Sequence, residues 1–291
     1  MSRFALRLMN VSKRYGKTVA LDGLTLDVPR GCVMGLIGPN GAGKTTAFGI
    51  ISGAVKADSG AVDVLGAGPF DPVRDAGRMT VLPQDCELNP HSSALQLLTF
   101  YARLQRIPRP SKEAARVLAL VHLSERADAR VRQLSHGMKR RLAVAQALIG
   151  DPELILLDEP TGGLDPHLVV QMRQVLRAQH GERTLVVSSH LLSDLEATCD
   201  HVAFLSAGRC VKTGPIEEIT KRGLLVSVRL AEPIELTAVQ DLLKSREPAL
   251  VGDWLRYHLL PGEDPSECHA ELLPALLGRG ARVLEVKLGR S

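Results

Sequence analysis

The sequence predicts an α/β protein: a mostly parallel sheet with an N-terminal antiparallel β element and a helical subdomain, followed by a small C-terminal α+β domain. Three features of the 291-residue chain predict it. Cys32–Ile37, Leu154–Leu157, Thr184–Val187 and Val202–Leu205 are short apolar runs without polar alternation, each followed by turn or helix-start residues. Buried parallel strands read this way. Phe4–Val11 and Leu24–Val28 alternate apolar and polar residues, as half-exposed antiparallel strands do. From Pro90 to Gly150 the spacing becomes helical.

Taken in order, the N-terminal alternating strands come first, then the apolar strand Cys32–Ile37 and a helical stretch, Thr45–Ile51. Residues 58–77 are rich in Gly and Pro and place a short strand at Val62–Leu65. Ala94, Leu97, Leu98 and Tyr101 then form a single apolar stripe at helical spacing. Ser111–Val121 and Ser135–Ile149 are further helices, separated by the polar stretch Ser124–Gln133. A boundary is expected at Thr220–Gly223, dividing residues 1–222 from residues 223–291, with the helical subdomain at about 85–150. Beyond it, Leu224–Leu230, Trp254–Leu260 and Ala281–Leu288 read as strands and Thr237–Ser245 and Ser266–Leu273 as helices. Pro274 argues for an early end or a kink in the second helix.

Composition narrows the function. Apolar residues make up 45% and charged residues 23%, a globular mix with a net charge of only +4, too small to imply a polyanionic partner. No run of apolar residues is long enough to span a bilayer, and the cation-studded N-terminus is unlike a signal peptide. The five cysteines are widely spaced, without a C-x-x-C pair, which fits a reducing cytoplasm rather than a disulfide or zinc framework.

Chemistry concentrates at Gly38-Pro39-Asn40-Gly41-Ala42-Gly43-Lys44-Thr45, a full G-x-x-x-x-G-K-[ST] between a strand and a helix. Glycines let successive backbone N–H groups face a phosphate, and the following helix aims its positive end at the same charge. Lys44 supplies a mobile cation for the β- and γ-phosphates, Thr45 a hydroxyl for Mg²⁺, and Asn40, Gly41, Gly43 and Thr46 complete the nucleotide contacts. Leu154-Ile155-Leu156-Leu157-Asp158-Glu159 delivers two acids to a strand end. Asp158 suits the Mg²⁺ hydration shell and Glu159 the general base that activates water. The basic run Lys139–Arg141 reads as a solvated helix face.

With these motifs in place, Leu134-Ser135-His136-Gly137-Met138-Lys139 shortly before the acidic strand resembles the signature of ABC transporter nucleotide-binding subunits. Tyr15 resembles that family's A-loop aromatic, Gln84 its Q-loop, Gly163-Leu164-Asp165 its D-loop and His190 its switch histidine, all in the family's order across residues 1–220. Met138 followed by three cations is similar to the bacterial ABC-2-type exporter branch, in which small C-terminal domains are common. His136 stands where Gly is common, Met138 where Gln is, and Gly162 where Ser is frequent.

The resemblance implies a set of roles. Tyr15 would stack on adenine, Gln84 would touch Mg²⁺ or its water, and His190 would contact the γ-phosphate. Ser135 and Gly137 would meet nucleotide held by an opposite subunit, with Asp165 also at the nucleotide. ATP and Mg²⁺ are the implied cofactors. The implied partners are a separately encoded integral-membrane permease and either a second copy or a related ATPase subunit, on the inner face of the cell membrane. The alternative is a soluble ABC ATPase acting on the ribosome or on nucleic acid. Ribosome-acting members normally carry two cassettes and DNA-acting ones long coiled coils, and this chain has neither, so no nucleic-acid partner is expected. A nonhydrolysing scaffold is disfavoured because Lys44, Asp158, Glu159 and His190 are all present.

Overall fold

A computed structural model of the chain describes residues 2–220, 225–232, 243, 246, 248–259 and 265–289. The chain divides into two compact units, Met1–Ile216 and Glu217–Ser291. The boundary expected at Thr220–Gly223 and the helix expected at Thr237–Ser245 fall largely on residues 221–224 and 233–245, outside the described residues apart from Thr220 and Leu243.

In the first unit, β1 (Phe4–Tyr15) and β2 (Thr18–Pro29) pair antiparallel across Gly16-Lys17, and β4 (Ser59–Val64) pairs with the other side of β1. Both hairpin strands run longer than their alternating cores, because main-chain pairing continues through the polar residues to Tyr15↔Thr18. The second sheet has the order β5 (Met79–Leu82), β6 (Leu154–Leu157), β7 (Thr184–Ser189), β3 (Val33–Ile37), β8 (His201–Ser206), β9 (Arg209–Pro215). The first five strands run parallel and β9 returns antiparallel on β8. Every residue of β3, β6 and β7 is buried, which explains their unbroken apolar runs.

Helix α1 (Lys44–Ile51) follows β3 and drives Ala47, Phe48, Ile50 and Ile51 into the core shared with β1 and β2. The helical insert holds α2 (Ala94–Leu104), α3 (Pro110–Leu120) and α4 (His136–Ala147). Ser93 caps α2 in a reciprocal box with Gln96, and Ala94, Leu97, Leu98 and Ala102 are its buried face. The solvated face expected at Lys139–Arg141 is not what forms: Arg140 and Arg141 are buried, at 9% and 7% exposure. Successive helical residues turn about 100° apart, so three in a row cannot share one outward face, and α4 packs against α2, α3 and β5. Helices α5 (Pro166–Arg177) and α6 (Leu192–Glu196) flank β7, and α7 (Ile216–Thr220) follows β9.

The second unit is an antiparallel sheet of order β11 (Ala249–Val251), β12 (Trp254–His258), β10 (Leu225–Leu230), β13 (Val283–Gly289), with α8 (Pro265–Gly278) before the last strand. Its core includes Val226, Val228, Leu255, Tyr257, Leu272 and Leu276. α8 continues past Pro274 instead of ending there. Leu272 and Leu276, on either side of the proline, are 4% and 0% exposed. Burying two leucines gains about 1.5–3 kcal/mol each, which offsets the roughly 3 kcal/mol a proline costs inside a helix.

One joint fixes the phosphate loop against both sheets of the first unit. Gly208, in the β8–β9 turn at φ +76°, donates its N–H to the Ala42 carbonyl, and its own carbonyl accepts from Asp22 of β2. A Cβ there would stand 2.7 Å from the Ala20 oxygen and 2.8 Å from the Leu21 Cα. Gly208→Ala should therefore lower stability by about 1–3 kcal/mol in urea unfolding; an unchanged midpoint would show that the joint yields freely.

Candidate active site

Parallel strands deliver their C-terminal ends to one edge, and this chain places its chemistry there. Ile37 pairs with Ser189, Leu157 with Val187 and Leu82 with Leu157, so the loops leaving β3, β5, β6 and β7 emerge side by side. They carry Gly38–Lys44, Gln84, Asp158-Glu159 and His190. Asn40, Gly41, Gly43, Lys44, Thr45, Thr46, Gln84 and Glu159 share one cleft of about 400 Å³, walled on the β2 side by Thr18–Ala20.

Gly43 forms the N-cap of α1 at φ +104°, where a Cβ would stand 2.6 Å from the Ala20 oxygen. No side chain caps the helix, so its first N–H groups and positive dipole end are available to an anion. The Lys44 ammonium folds back on the loop, donating to the carbonyls of Gly38 at 2.6 Å and Pro39 at 3.3 Å.

Asp158 is 2% exposed. Its carboxylate accepts from Thr45 Oγ1 at 2.9 Å and from Ser188 Oγ. No ion pair to it occurs among the described residues. Glu159 follows in the left-handed region at φ 49°, with its N–H donated to Ser188 Oγ at 2.9 Å. Its Oε1 lies 3.3 Å from His190 Nδ1. The glutamate side chain is mostly covered and the imidazole half exposed.

Two residues that sequence reasoning did not select organise this edge. Ser188 joins Asp158 to Glu159 through one hydroxyl. Arg140 reaches in from α4. Its Nη2 donates to the carbonyls of Asp158 and Glu159, the latter at 2.8 Å, and its Nη1 to those of Gln84 at 3.0 Å and Pro83 at 3.4 Å. Burial pushes the Arg140 guanidinium below its ordinary value, opposed by the nearby Cys86, Asp158, Glu159 and Asp85. Burial raises the Cys86 thiol, and Arg140 opposes that shift. The readable signal for Arg140 was helical geometry: a run of three cations in an otherwise apolar helix must turn at least one inward.

The remaining candidates lie elsewhere. Tyr15 is half exposed at the end of β1, with Lys13 Nζ 5.6 Å from its ring centre, and does not line the cleft. Ser135 caps α4, accepting from the Met138 N–H at 3.3 Å, and lines a separate hollow of about 290 Å³ with Arg126, Ala129, Gln133, Leu134 and Met138. Gly137 faces Leu164 and Leu168, and a Cβ on Gly163 would stand 2.8 Å from His136 Nε2. Asp165 is an exposed N-cap of α5 whose side chain makes no capping bond.

Known proteins are similar to this chain in sequence and fold. The family profile described as ABC transporter matches residues 21–162. The Nod factor export ATP-binding protein I of Cupriavidus metallidurans is 34% identical over 285 residues, covering 94% of this chain and 90% of that protein. This chain belongs to the ABC transporter ATP-binding family. Among solved structures, cbiO1 of Clostridium perfringens, part of the ABC transporter complex cbiONQ, superposes with TM-score 0.67 at 28% identity, covering 75% of this chain and 91% of that one. An ATP-binding cassette in a dimeric post-hydrolysis state with ADP and Pi superposes with TM-score 0.66 at 25% identity, covering 72% and 98%. The protein is thus an ABC-type ATPase, the ATP-binding subunit of a transporter. Within this ABC ATPase, Ser188→Ala removes a buried donor to Asp158 and the acceptor for the Glu159 N–H. It should cost about 1–3 kcal/mol in chemical unfolding; an unaltered stability would mean that water replaces the hydroxyl without loss.

Proposed function

We propose that two copies of this chain bind MgATP between them, hydrolyse it with Glu159 as general base, and power export through a separate membrane permease. The observation that carries the reading is the convergence of Lys44, Thr45, Gln84, Asp158, Glu159 and His190 on one sheet edge, with Thr45 Oγ1 and Asp158 2.9 Å apart.

ATP is the substrate. The backbone N–H groups of Gly41–Thr46 and the α1 N-terminus receive its phosphates, and Lys44 exchanges its loop carbonyls for phosphate oxygens. The donor set fits Mg²⁺. A buried carboxylate without a cationic partner beside a hydroxyl offers hard oxygens of low count, and this cation keeps its other positions for water and phosphate. Thr45 and Asp158 would hold it, with Gln84 at the cleft wall. Bound there, it offsets phosphate charge. Glu159, covered and adjoining the cleft, takes the proton of the attacking water, and His190 at 3.3 Å orients that carboxylate and reaches the γ-phosphate. Tyr15 supplies an exposed ring for the adenine, worth roughly 1–3 kcal/mol.

Ser135 and Gly137 lie outside the cleft that Lys44 lines, and Asp165 sits on the next helix start. A capped but otherwise open helix end suits the γ-phosphate of nucleotide held by a second copy. Residues 1–222 then form the ATPase domain and residues 223–291 a small appended domain. The helical subdomain, about 85–150, presents exposed Phe100 and Leu104 and an apolar groove of about 530 Å³ at Ile107–Arg116, a surface suited to a permease's cytoplasmic segments. No helix among the described residues is long and apolar enough to cross a membrane, so attachment at the inner face of the cell membrane runs through that permease. Export follows from the relatives' names as Nod factor export proteins.

Glu159→Gln should keep ATP binding and cut turnover by roughly 10²–10⁴; wild-type turnover in that variant would remove Glu159 as the base. Lys44→Ala should instead weaken nucleotide binding, by roughly 10- to 100-fold for a lost charged hydrogen bond of about 1.5–3 kcal/mol. An affinity pull-down of tagged Glu159→Gln protein from detergent-solubilised native membranes with MgATP should recover a multispan membrane protein. Recovery of ribosomal or DNA-bound proteins alone would move the assignment to the soluble class.

A further inference from the structure

The guanidinium of Arg140 joins two functional segments to the helix that carries it. Its own helix, α4, begins at Ser135, and its four acceptors are the carbonyls of Pro83, Gln84, Asp158 and Glu159. None of these acceptors is a carboxylate, so the contact holds main chain rather than pairing charge. An arginine is suited to this use, because its rigid fork offers five donors and stays cationic when buried.

Arg140 is the sole hydrogen-bond donor to one held segment among the described residues and one of few restraints on the other. The chain leaves β5 at Leu82, whose carbonyl accepts from the Asp158 N–H, and no other hydrogen bond to the Pro83 or Gln84 carbonyls occurs among the described residues. Glu159 sits at φ 49°, a conformation costing about 1–3 kcal/mol in a residue other than glycine, so its surroundings must hold it there. The restraints are Ser188 Oγ on the N–H, and Arg140 together with the Gly162 N–H on the carbonyl. That backbone aims the Glu159 carboxylate toward His190 and the cleft.

We propose that Arg140 is a positioning residue for hydrolysis: it locks the Gln84 loop and the Asp158–Glu159 turn to the helix that begins at Ser135, so that Glu159 is aimed only while α4 is seated. A shift of α4 against β5 and β6 would then reach the base through one side chain. The inference rests on the reading of Glu159 as base. The role differs from simple core filling, since an isosteric apolar side chain would fill the space and leave the four carbonyls unheld.

The test uses the full chain with Arg140→Met, Arg140→Lys and Glu159→Gln, and the double variant Arg140→Met/Glu159→Gln. Arg140→Met should lower kcat by about 10²-fold, the scale of a displacement near 1 Å at a reacting group, with the nucleotide Kd changed less than about 3-fold. Arg140→Lys, a single ammonium in place of a fork, should recover only part of kcat. Because the arginine acts through the base, the double variant should turn over at the rate of Glu159→Gln alone. Multiplying losses, or a fall in folded protein with normal kcat per folded molecule, would overturn the proposal. Amide hydrogen exchange decides independently of turnover: in Arg140→Met the amides of residues 84–86, 159, 161 and 162 should exchange faster, while those of β1 and β2 stay as in wild type. Unchanged exchange in both segments would also overturn it. A wild-type protein without Mg²⁺-dependent hydrolysis would instead remove the reading of Glu159, leaving the exchange result to judge the positioning role.

Discussion

A carboxylate taken out of water, with no ion pair among the described residues, dictates the architecture of this site. Asp158 stands at the end of a strand buried on both faces, and among the described residues its carboxylate accepts hydrogen bonds only from the hydroxyls of Thr45 and Ser188. Leaving a buried ion so lightly paired is costly unless a partner arrives. The chain supplies the setting for one, between the phosphate loop and the acidic strand. The αL turn at Glu159, the serine that spans both acids and the arginine behind them are the parts that keep this charged end in place.

The same residues explain why so much of the fold serves one edge. The parallel order places β3 between β7 and β8 and β6 between β5 and β7, so four loops of different sequence position reach one cleft. The antiparallel hairpin β1–β2 closes its side through the Ala20 carbonyl, against which Gly43 and Gly208 both pack without room for a Cβ. The helical insert adds a helix start at Ser135, which lines a separate hollow, and one side chain, Arg140, which reaches the carbonyls of Gln84 and Glu159. In the proposed dimer the N-cap of α4 and its Arg140 side chain serve different nucleotides.

Strands, phosphate loop and acidic pair were legible in the sequence because each depends on a local pattern: unbroken apolar runs, glycine spacing and a charge at a strand end. The strands at Met79–Leu82 and Arg209–Pro215 were not, since the first has four residues and the second is an edge strand of mixed polarity. Arg140 and Ser188 were missed for a different reason. Their partners are main-chain atoms and side chains distant in sequence, and neither residue type signals such a contact. The early end that Pro274 suggested does not form, because a local rule about helices yielded to the burial of Leu272 and Leu276. Tyr15, chosen by its position in the chain, ends half exposed where β1 pairs with Thr18, the first of the three β2 residues that line the cleft.

The central claim is that each chain carries two half-sites that meet only when two copies enclose nucleotide. The most direct measurement is the molar mass of purified Glu159→Gln protein by size-exclusion chromatography with light scattering, in MgATP and in MgADP. The account predicts twice the mass of one chain with MgATP and a return to the single-chain mass with MgADP. A single-chain mass in saturating MgATP, with nucleotide demonstrably bound, would contradict it.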